Sequence, residues 1–250
     1  MALRELSLPG LPKRIWMLWL QGWDQAPRLV QACHRSWRQN NSDWTIHYLD
    51  RLNAADFIED AGLRAAIDDV DQPPEARSDR LRIALLAQHG GVWADATTYC
   101  LRPLNDWLFD VLQAGFFAFD RPGVDRMLSS WFLAAEPDNY IVQKWAQRTR
   151  EYWQGRTQRH HYFWFHYLFA DEYSRNADFR RIHDSMPKIS ADGPHYYLPQ
   201  AETLWAPLTA RDKQLIMDAS VPVLKLSHHL PAGRYPVGSV AEYLCQRLGA

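Results

Sequence analysis

The chain has 250 residues, 47% hydrophobic and 23% charged, with a formal net charge of −1. That length and balance fit one globular domain with a full core and argue against intrinsic disorder. Without an excess of Lys and Arg, they also argue against a nucleic-acid binder. The unusual feature is aromatic: 12 Trp, 11 Tyr and 10 Phe, with Trp16, Trp19, Trp23, Trp37 and Trp44 close together. Tryptophan is seldom fully buried, so part of this set is a candidate lining for a ligand cleft. Cys33, Cys100 and Cys245 are widely spaced and form no CxxC pair, which fits reduced thiols. The opening MALRELSLPGLPKR has no continuous apolar stretch of the signal-peptide kind, and Ile15 to Leu20 is far shorter than the roughly 20 residues a bilayer requires. The expectation is a cytoplasmic protein, with peripheral contact on the inner face of the cell membrane left open.

Ile15 to Leu20 reads as a buried strand near the start of the fold. Pro27 to Gln39 has apolar residues at Leu29, Val30, Cys33 and Trp37, the spacing of an amphipathic helix with Pro27 in its first turn. Trp44 to Leu49 predicts a second strand ending at Asp50. Short helices around Ala54 to Asp60 and Leu63 to Asp69 follow. After Pro73-Pro74 a strong helix runs to His89 and stops at Gly90-Gly91, where a left-handed cap is expected. Val92-Trp93-Ala94 is a buried strand leading to Asp95. Phe116 to Phe119 and Trp131 to Ala135 predict further strands, and Tyr140 to Trp153 and His160 to Ala170 predict helices. Val223 to Leu226 reads as a strand, and Ser239 with Glu242 as a capping box opening the last helix. This alternation predicts an α/β fold with a central, mostly parallel sheet flanked by helices, in one domain over 1–250.

The chemistry concentrates in Ala76-Arg77-Ser78-Asp79-Arg80-Leu81-Arg82, running on to Gly90-Gly91-Val92-Trp93-Ala94-Asp95-Ala96-Thr97. On a helix, Ser78, Asp79 and Arg82 share a face. A carboxylate and a guanidinium held together can grip two neighbouring sugar hydroxyls. The plain alternative is an i,i+3 ion pair with Asp79 favouring the helix N-terminus. Asp95 follows a buried strand, and ligands in open α/β sheets bind beyond the carboxyl ends of strands. A carboxylate there can hold Mg²⁺ or Mn²⁺, or it can simply be a turn residue.

The run SDRLRIALLAQHGGVWADAT resembles the sugar-nucleotide-binding core of GT-A glycosyltransferases with a DXD-type sugar-binding region, of the family 32 kind. Within that group it is most similar to the capsular polysaccharide synthesis proteins. Leu11-Pro12-Lys13-Arg14-Ile15-Trp16 with Trp19 and Gln21-Gly22, Ser36-Trp37, Trp44 to Asp50, His161 to Tyr167 and Val223 to His228 carry the same resemblance. It therefore spans about residues 11 to 229. It implies a GT-A, Rossmann-like nucleotide-diphospho-sugar transferase fold. In that fold, 11–105 would bind the nucleotide sugar, and 106–250 would form the acceptor side and C-terminal elements.

The resemblance also implies roles. Trp19 would stack on the base of a UDP-sugar, with Gln21 beside it. Ser78, Asp79 and Arg82 would contact ribose and donor sugar, and Asp95 would hold a divalent metal (Mn²⁺ or Mg²⁺) and the diphosphate. Asp79, Arg82 and Asp95 are the candidate catalytic residues. The chain departs from the general pattern at Thr97, where an Asp is usual, although Ala-Thr is also a trait of the capsular subgroup. Thr97 and His228 would complete the metal and diphosphate site, with His229 next to it. The implied activity is transfer of a sugar, with retention, from a UDP-sugar to a growing capsular or other bacterial surface polysaccharide, as a saccharide or lipid-linked saccharide acceptor. Two alternatives stay open: a sugar-nucleotide-binding partner protein that has lost transfer, kept alive by Thr97, and an aromatic carbohydrate-binding module.

Among other features, His161 and His166 are five apart and do not share a helical face as a metal pair four apart would. Tyr162, Phe163, Phe165 and Phe169 read as core packing, with His166 toward the cleft. Asp120 and Asp125 flank Arg121-Pro122-Gly123, which reads as a plain turn, with reach to the donor or acceptor sugar as the alternative. Trp16, Trp37, Trp44 and Trp93 read as packing, and Trp205 as a lid or acceptor contact. There is no GxSxG, P-loop or GxGxxG, so hydrolase, kinase and dinucleotide readings lack support.

Overall fold

The computed structural model describes residues 10–69, 71–198, 202–228 and 235–247. Strands β1 (Arg14–Leu18), β2 (Thr45–Leu49), β3 (Gly91–Ala94), β5 (Phe116–Gly123) and β6 (Arg126–Ala135) form a five-stranded sheet in the order β2-β1-β3-β6-β5. The two pairings of β1, with β2 and β3, are parallel, whereas β6 runs antiparallel to both β3 and β5. The two phenylalanine-rich strands expected after residue 115 are thus the arms of one hairpin. It extends through the polar stretch around Pro122, which lacks the apolar alternation that marks strands. A second, two-stranded sheet pairs β4 (Thr98–Cys100) with β7 (Val223–Lys225), antiparallel.

The first long helix, α1 (Arg28–Asn40), opens at Pro27, and the free Leu29 amide near its start donates to the Tyr235 hydroxyl at 2.9 Å, replacing an absent side-chain cap. Next, α2 (Ala61–Asp68) is capped by Asp60, whose side chain accepts from the Leu63 amide at 2.7 Å. The following helix, α3 (Pro74–His89), has Pro74 at its first position. It is buried on more than one side, by Ala76, Leu81, Ile83, Leu85 and Leu86 among others, because it lies between the sheet and α5 (Tyr140–Trp153). The chain leaves α3 through Gly90 (φ 62°) and Gly91 (φ 97°). Any side chain at either position would collide: a Cβ on Gly90 would lie 2.8 Å from Pro137, and one on Gly91 2.7 Å from the Arg14 carbonyl. Two glycines are therefore the residues that let β3 start immediately beside β1.

The remaining helices are α4 (Leu108–Val111), α6 (Trp164–Arg175), α7 (Ala177–Ser185), α8 (Glu202–Trp205), α9 (Ala210–Asp218) and α10 (Val240–Gln246). Helix α6 starts four residues later than its sequence suggests. His160 to Phe163 instead form turns tied to α5, with the His160 amide donating to the Tyr152 hydroxyl at 2.9 Å. Phe165 and Phe169 are core residues as expected, but Tyr162 and Phe163, lying ahead of the helix, are not buried. Ser239 caps α10. Glu242 reaches back to the Gly238 amide rather than to the cap residue's own.

Buried side chains form two main clusters. The larger surrounds the five-stranded sheet and includes Trp16, Trp37, Trp93, Trp145 and the phenylalanines of β5. The smaller gathers Leu29 and Cys33 of α1, Tyr99 of β4, Leu224 of β7, Ile216 of α9 and Leu244 of α10. Helix α1 contributes to both, so it joins the small sheet to the large one. No helix among the described residues is long and apolar enough to cross a membrane.

Candidate active site at the carboxyl edge of the parallel strands

The three parallel strands end together, at Leu18, Leu49 and Ala94, and are followed by Trp19, Asp50 and Asp95. This is the edge at which open α/β sheets bind ligands. Asp50 closes the turn after β2, accepting from the amides of Leu52 and Asn53. Asp95 is different: its carboxylate points into a cluster of charges. Its backbone is pinned by its amide N–H, which donates to the Trp131 carbonyl at 2.8 Å, and the Thr98 amide and hydroxyl both donate to its carbonyl.

Spacing on α3 brings Ser78, Asp79 and Arg82 to one face, as expected, and that face turns toward Asp95. Arg82 Nη1 donates to Asp79 Oδ1 at 2.5 Å, and Nη2 to Asp95 Oδ1 at 2.9 Å and Ser78 Oγ at 3.4 Å. The fork of the guanidinium therefore links two acids, a geometry that a lysine cannot reproduce. Its carbon lies 5.1 Å from the Trp93 ring centroid. The Trp93 indole N–H donates to the same Asp95 oxygen at 2.9 Å, so this tryptophan packs and also positions.

A residue that sequence reasoning did not single out completes the cluster. Lys225, at the end of β7, donates from Nζ to Asp95 Oδ2 at 3.1 Å and to Thr97 Oγ1 at 2.5 Å. The ribbon holds it there: Lys225 is in register with Thr98, and the Leu226 amide bonds the Thr97 carbonyl at 2.9 Å. The available signals were a lysine closing the otherwise apolar strand Val223-Leu224 and its place in the Val223 to His228 segment that carries the family resemblance.

The electrostatics follow from this geometry. Burial alone would raise the pKa of Asp95, but the Lys225 and Arg82 cations and the donor from Trp93 hold it below its ordinary value. Asp79 is more deeply buried. Burial pushes its pKa up to about 6, against the pull of Arg82 and with the Asp95 charge adding to the rise. His166 sits beside these groups; burial, then the Arg82 and Arg126 cations, lower it to about 3. It is therefore neutral near pH 7, and its Nδ1 is buried without a hydrogen-bond partner among the described residues. His195 is lowered to about 4 by burial, then by Lys225 and Arg126.

The other sequence-predicted residues fall around this centre. Trp19 is half-buried, packed with Ala26, Val30 and Ala96, and its ring meets His228 edge-on at 5.2 Å. Its indole N–H is buried and unpartnered among the described residues. Gln21 is exposed on the turn after β1. Trp205 stacks on Tyr235 at 5.6 Å against the smaller cluster. Asp125 pairs with Arg126 at 3.1 Å and accepts from the Tyr167 hydroxyl at 3.4 Å. His229 lies outside the described residues.

The set expected for a divalent metal, Asp95, Thr97 and His228, does not assemble as a ligand shell. Both Asp95 oxygens and the Thr97 hydroxyl already accept from Arg82, Trp93 and Lys225. His228 packs on Trp19. Among the described residues, no group of three or more His, Cys, Asp or Glu side chains is arranged to hold a metal ion. The cluster instead pairs two carboxylates, Asp79 and Asp95, with two cations, Arg82 and Lys225.

The fold and the sequence can be compared with those of known proteins. In structure the chain is similar to the PaToxG glycosyltransferase, with TM-score 0.50 at 13% identity, covering 85% of this chain and 89% of that one. It is also similar to the apo-form glycosyltransferase GlyE of Streptococcus pneumoniae TIGR4, with TM-score 0.55 at 12% identity, covering 96% and 61%. In sequence it is 29% identical over 163 residues to the O-glycosyltransferase braB of Annulohypoxylon truncatum, covering 58% of this chain and 38% of that protein. It is 28% identical over 105 residues to the initiation-specific alpha-1,6-mannosyltransferase of Candida albicans, covering 39% and 27%. These curated relatives are fungal, and the chain spans well under half the length of each. The solved structures share the fold of this chain. The chain belongs to the capsular polysaccharide synthesis protein family, whose pattern matches residues 4–234.

Proposed function

We propose that this chain transfers a sugar from a nucleotide-sugar donor to a hydroxyl of a saccharide or lipid-linked saccharide acceptor. One observation carries the reading: Arg82, Asp79, Asp95 and Lys225 converge at the carboxyl edge of β1 and β3, next to the half-buried Trp19. Trp19 is the platform for the base, and a UDP-sugar is the first donor to try. Asp79 and Ser78 face the ribose and donor sugar, where a carboxylate and a hydroxyl held by one guanidinium recognise neighbouring hydroxyls. Breaking the bond between the sugar and the diphosphate sends its electron pair to a phosphate oxygen, and preorganised cations stabilise the charge that gathers there. The sugar carbon passes through an oxocarbenium-like state, and attack by the acceptor hydroxyl oxygen on the face of the leaving group, its proton passing to the departing phosphate oxygen, gives retention. The acceptor is taken from the side of the β5–β6 turn and Tyr162, as a growing surface polysaccharide.

The test is an assay of UDP or GDP release from a panel of nucleotide sugars, with and without saccharide acceptors. Release that needs an intact Asp95 supports transfer. Binding of nucleotide sugars without release under every acceptor would instead make the chain a sugar-nucleotide-binding partner.

A further inference from the structure

We infer that the Lys225 ammonium is the cation that receives the donor's diphosphate, standing where a divalent metal would otherwise be held. The inference rests on the transferase reading for the identity of its ligand. Lys225 is the last residue of β7, following the buried Val223 and Leu224, and its side chain is 16% exposed. A lysine that far from water needs partners, and it has two, Asp95 Oδ2 and Thr97 Oγ1. An ammonium carries three N–H donors, so a third remains beyond those two bonds for an anionic oxygen. The two acceptors are the acid and the third position of the Asp95-Ala96-Thr97 run, the pair otherwise expected to coordinate metal.

Two further observations favour a cation built into the chain. Asp95 is bracketed, Arg82 on Oδ1 and Lys225 on Oδ2, so a divalent ion there would have to displace an ammonium and then find six or more oxygens. Thr97 is also a weak substitute for a carboxylate as a metal ligand, whereas its hydroxyl is a good acceptor for a lysine. On this view Asp95 is a positioning group: it holds two cations at the strand edge so that a diphosphate meets them already oriented. The same role explains why this site accepts Thr at the third position.

The experiment is a titration of UDP, and separately GDP, into the full chain, followed by calorimetry or tryptophan fluorescence, in EDTA and again in excess Mn²⁺. The variants are Lys225→Ala, Lys225→Gln and Lys225→Arg, each compared with the wild type by thermal melting to establish that it folds. The wild-type dissociation constant should agree within about threefold between EDTA and Mn²⁺. Lys225→Ala, or Lys225→Gln if Ala does not fold, should weaken binding by about tenfold or more in EDTA, or about 1.4 kcal/mol. Lys225→Arg should retain most of the affinity. A larger metal dependence in the wild type, or a smaller loss in the Ala or Gln variant, overturns the assignment of Lys225 and leaves the transferase reading standing. No binding of either nucleotide under any condition overturns both.

Discussion

The two sides of the proposed site, its donor wall and its acceptor wall, are built on opposite plans. On the donor wall, four charged side chains are largely withdrawn from water, Arg82 to 4% exposure, and each is tied to another by one or more ion pairs. On the opposite wall, the tip of the β5–β6 hairpin and the segment around 160–167 present Tyr162 at 58% exposure and a fully exposed Val124. Its pairing is loose: Asp125 to Arg126 at the surface, and Arg126 over the Phe163 ring at 4.1 Å. Buried, mutually satisfied charge fixes geometry and is costly to break, whereas exposed aromatics offer area and little rigidity. A site that takes one constant group and one variable partner would be divided in this way, with the nucleotide sugar on the rigid side.

The sharpest way to break the contrast is to remove a member of the rigid wall. Arg82→Ala leaves Asp79 and Asp95 facing each other without the shared cation, and should destabilise the fold by about 3–5 kcal/mol in denaturant unfolding, the scale for breaking a buried pair. Arg82→Lys should recover only part of this, since one ammonium cannot serve both acids. Asp95→Ala should lower kcat for nucleotide release by about 10²- to 10³-fold, as when preorganised charge stabilisation is lost; near-normal kcat would sink the assignment. Trp19→Ala should weaken nucleotide binding by about 1–3 kcal/mol, the value of one base stacked on an aromatic ring, and an unchanged dissociation constant would remove Trp19 from that role. The smallest effect belongs to the loose wall. Tyr162→Ala should shift stability by less than about 0.5 kcal/mol and leave nucleotide affinity alone, while raising KM for the acceptor. A change in nucleotide affinity in that variant would erase the distinction between the walls.

The donor wall was legible in the sequence to the extent that its parts are neighbours in the chain. Ser78, Asp79 and Arg82 lie within one helical turn, Gly90-Gly91 ends the helix, and Val92 to Asp95 is a buried strand running to the sheet edge. Each of those steps follows from local rules of period and punctuation. Lys225 was not legible, because it is 130 residues from Asp95 and reaches it only through the β4–β7 pairing, which leaves no periodic mark on either three-residue strand. The indole N–H of Trp93 was missed for another reason. Burial and hydrogen bonding are not exclusive for tryptophan, and packing accounts for Trp93 so fully that a second role leaves no trace in the pattern. The same holds for Trp37, which is in the core and also donates to the Thr98 carbonyl at 2.9 Å. The late start of α6 was hidden because His160 to Phe163 have side chains a helix would tolerate; what holds them out is the contact with Tyr152 on α5.

The β4–β7 ribbon also sets an order of assembly. A chain is made from its N-terminus, so the sheet strands, α3 and Asp95 exist well before residue 225 does. Until then the acid has Arg82 on one oxygen and no lysine on the other. The charge balance at the strand edge is therefore completed only when the β7 segment, 130 residues after Asp95, has been synthesised. A chain ended before residue 225 would carry the five strands of the large sheet, yet Asp95 would keep only the donors on Oδ1 and present a free Oδ2 where the longer chain presents an ammonium.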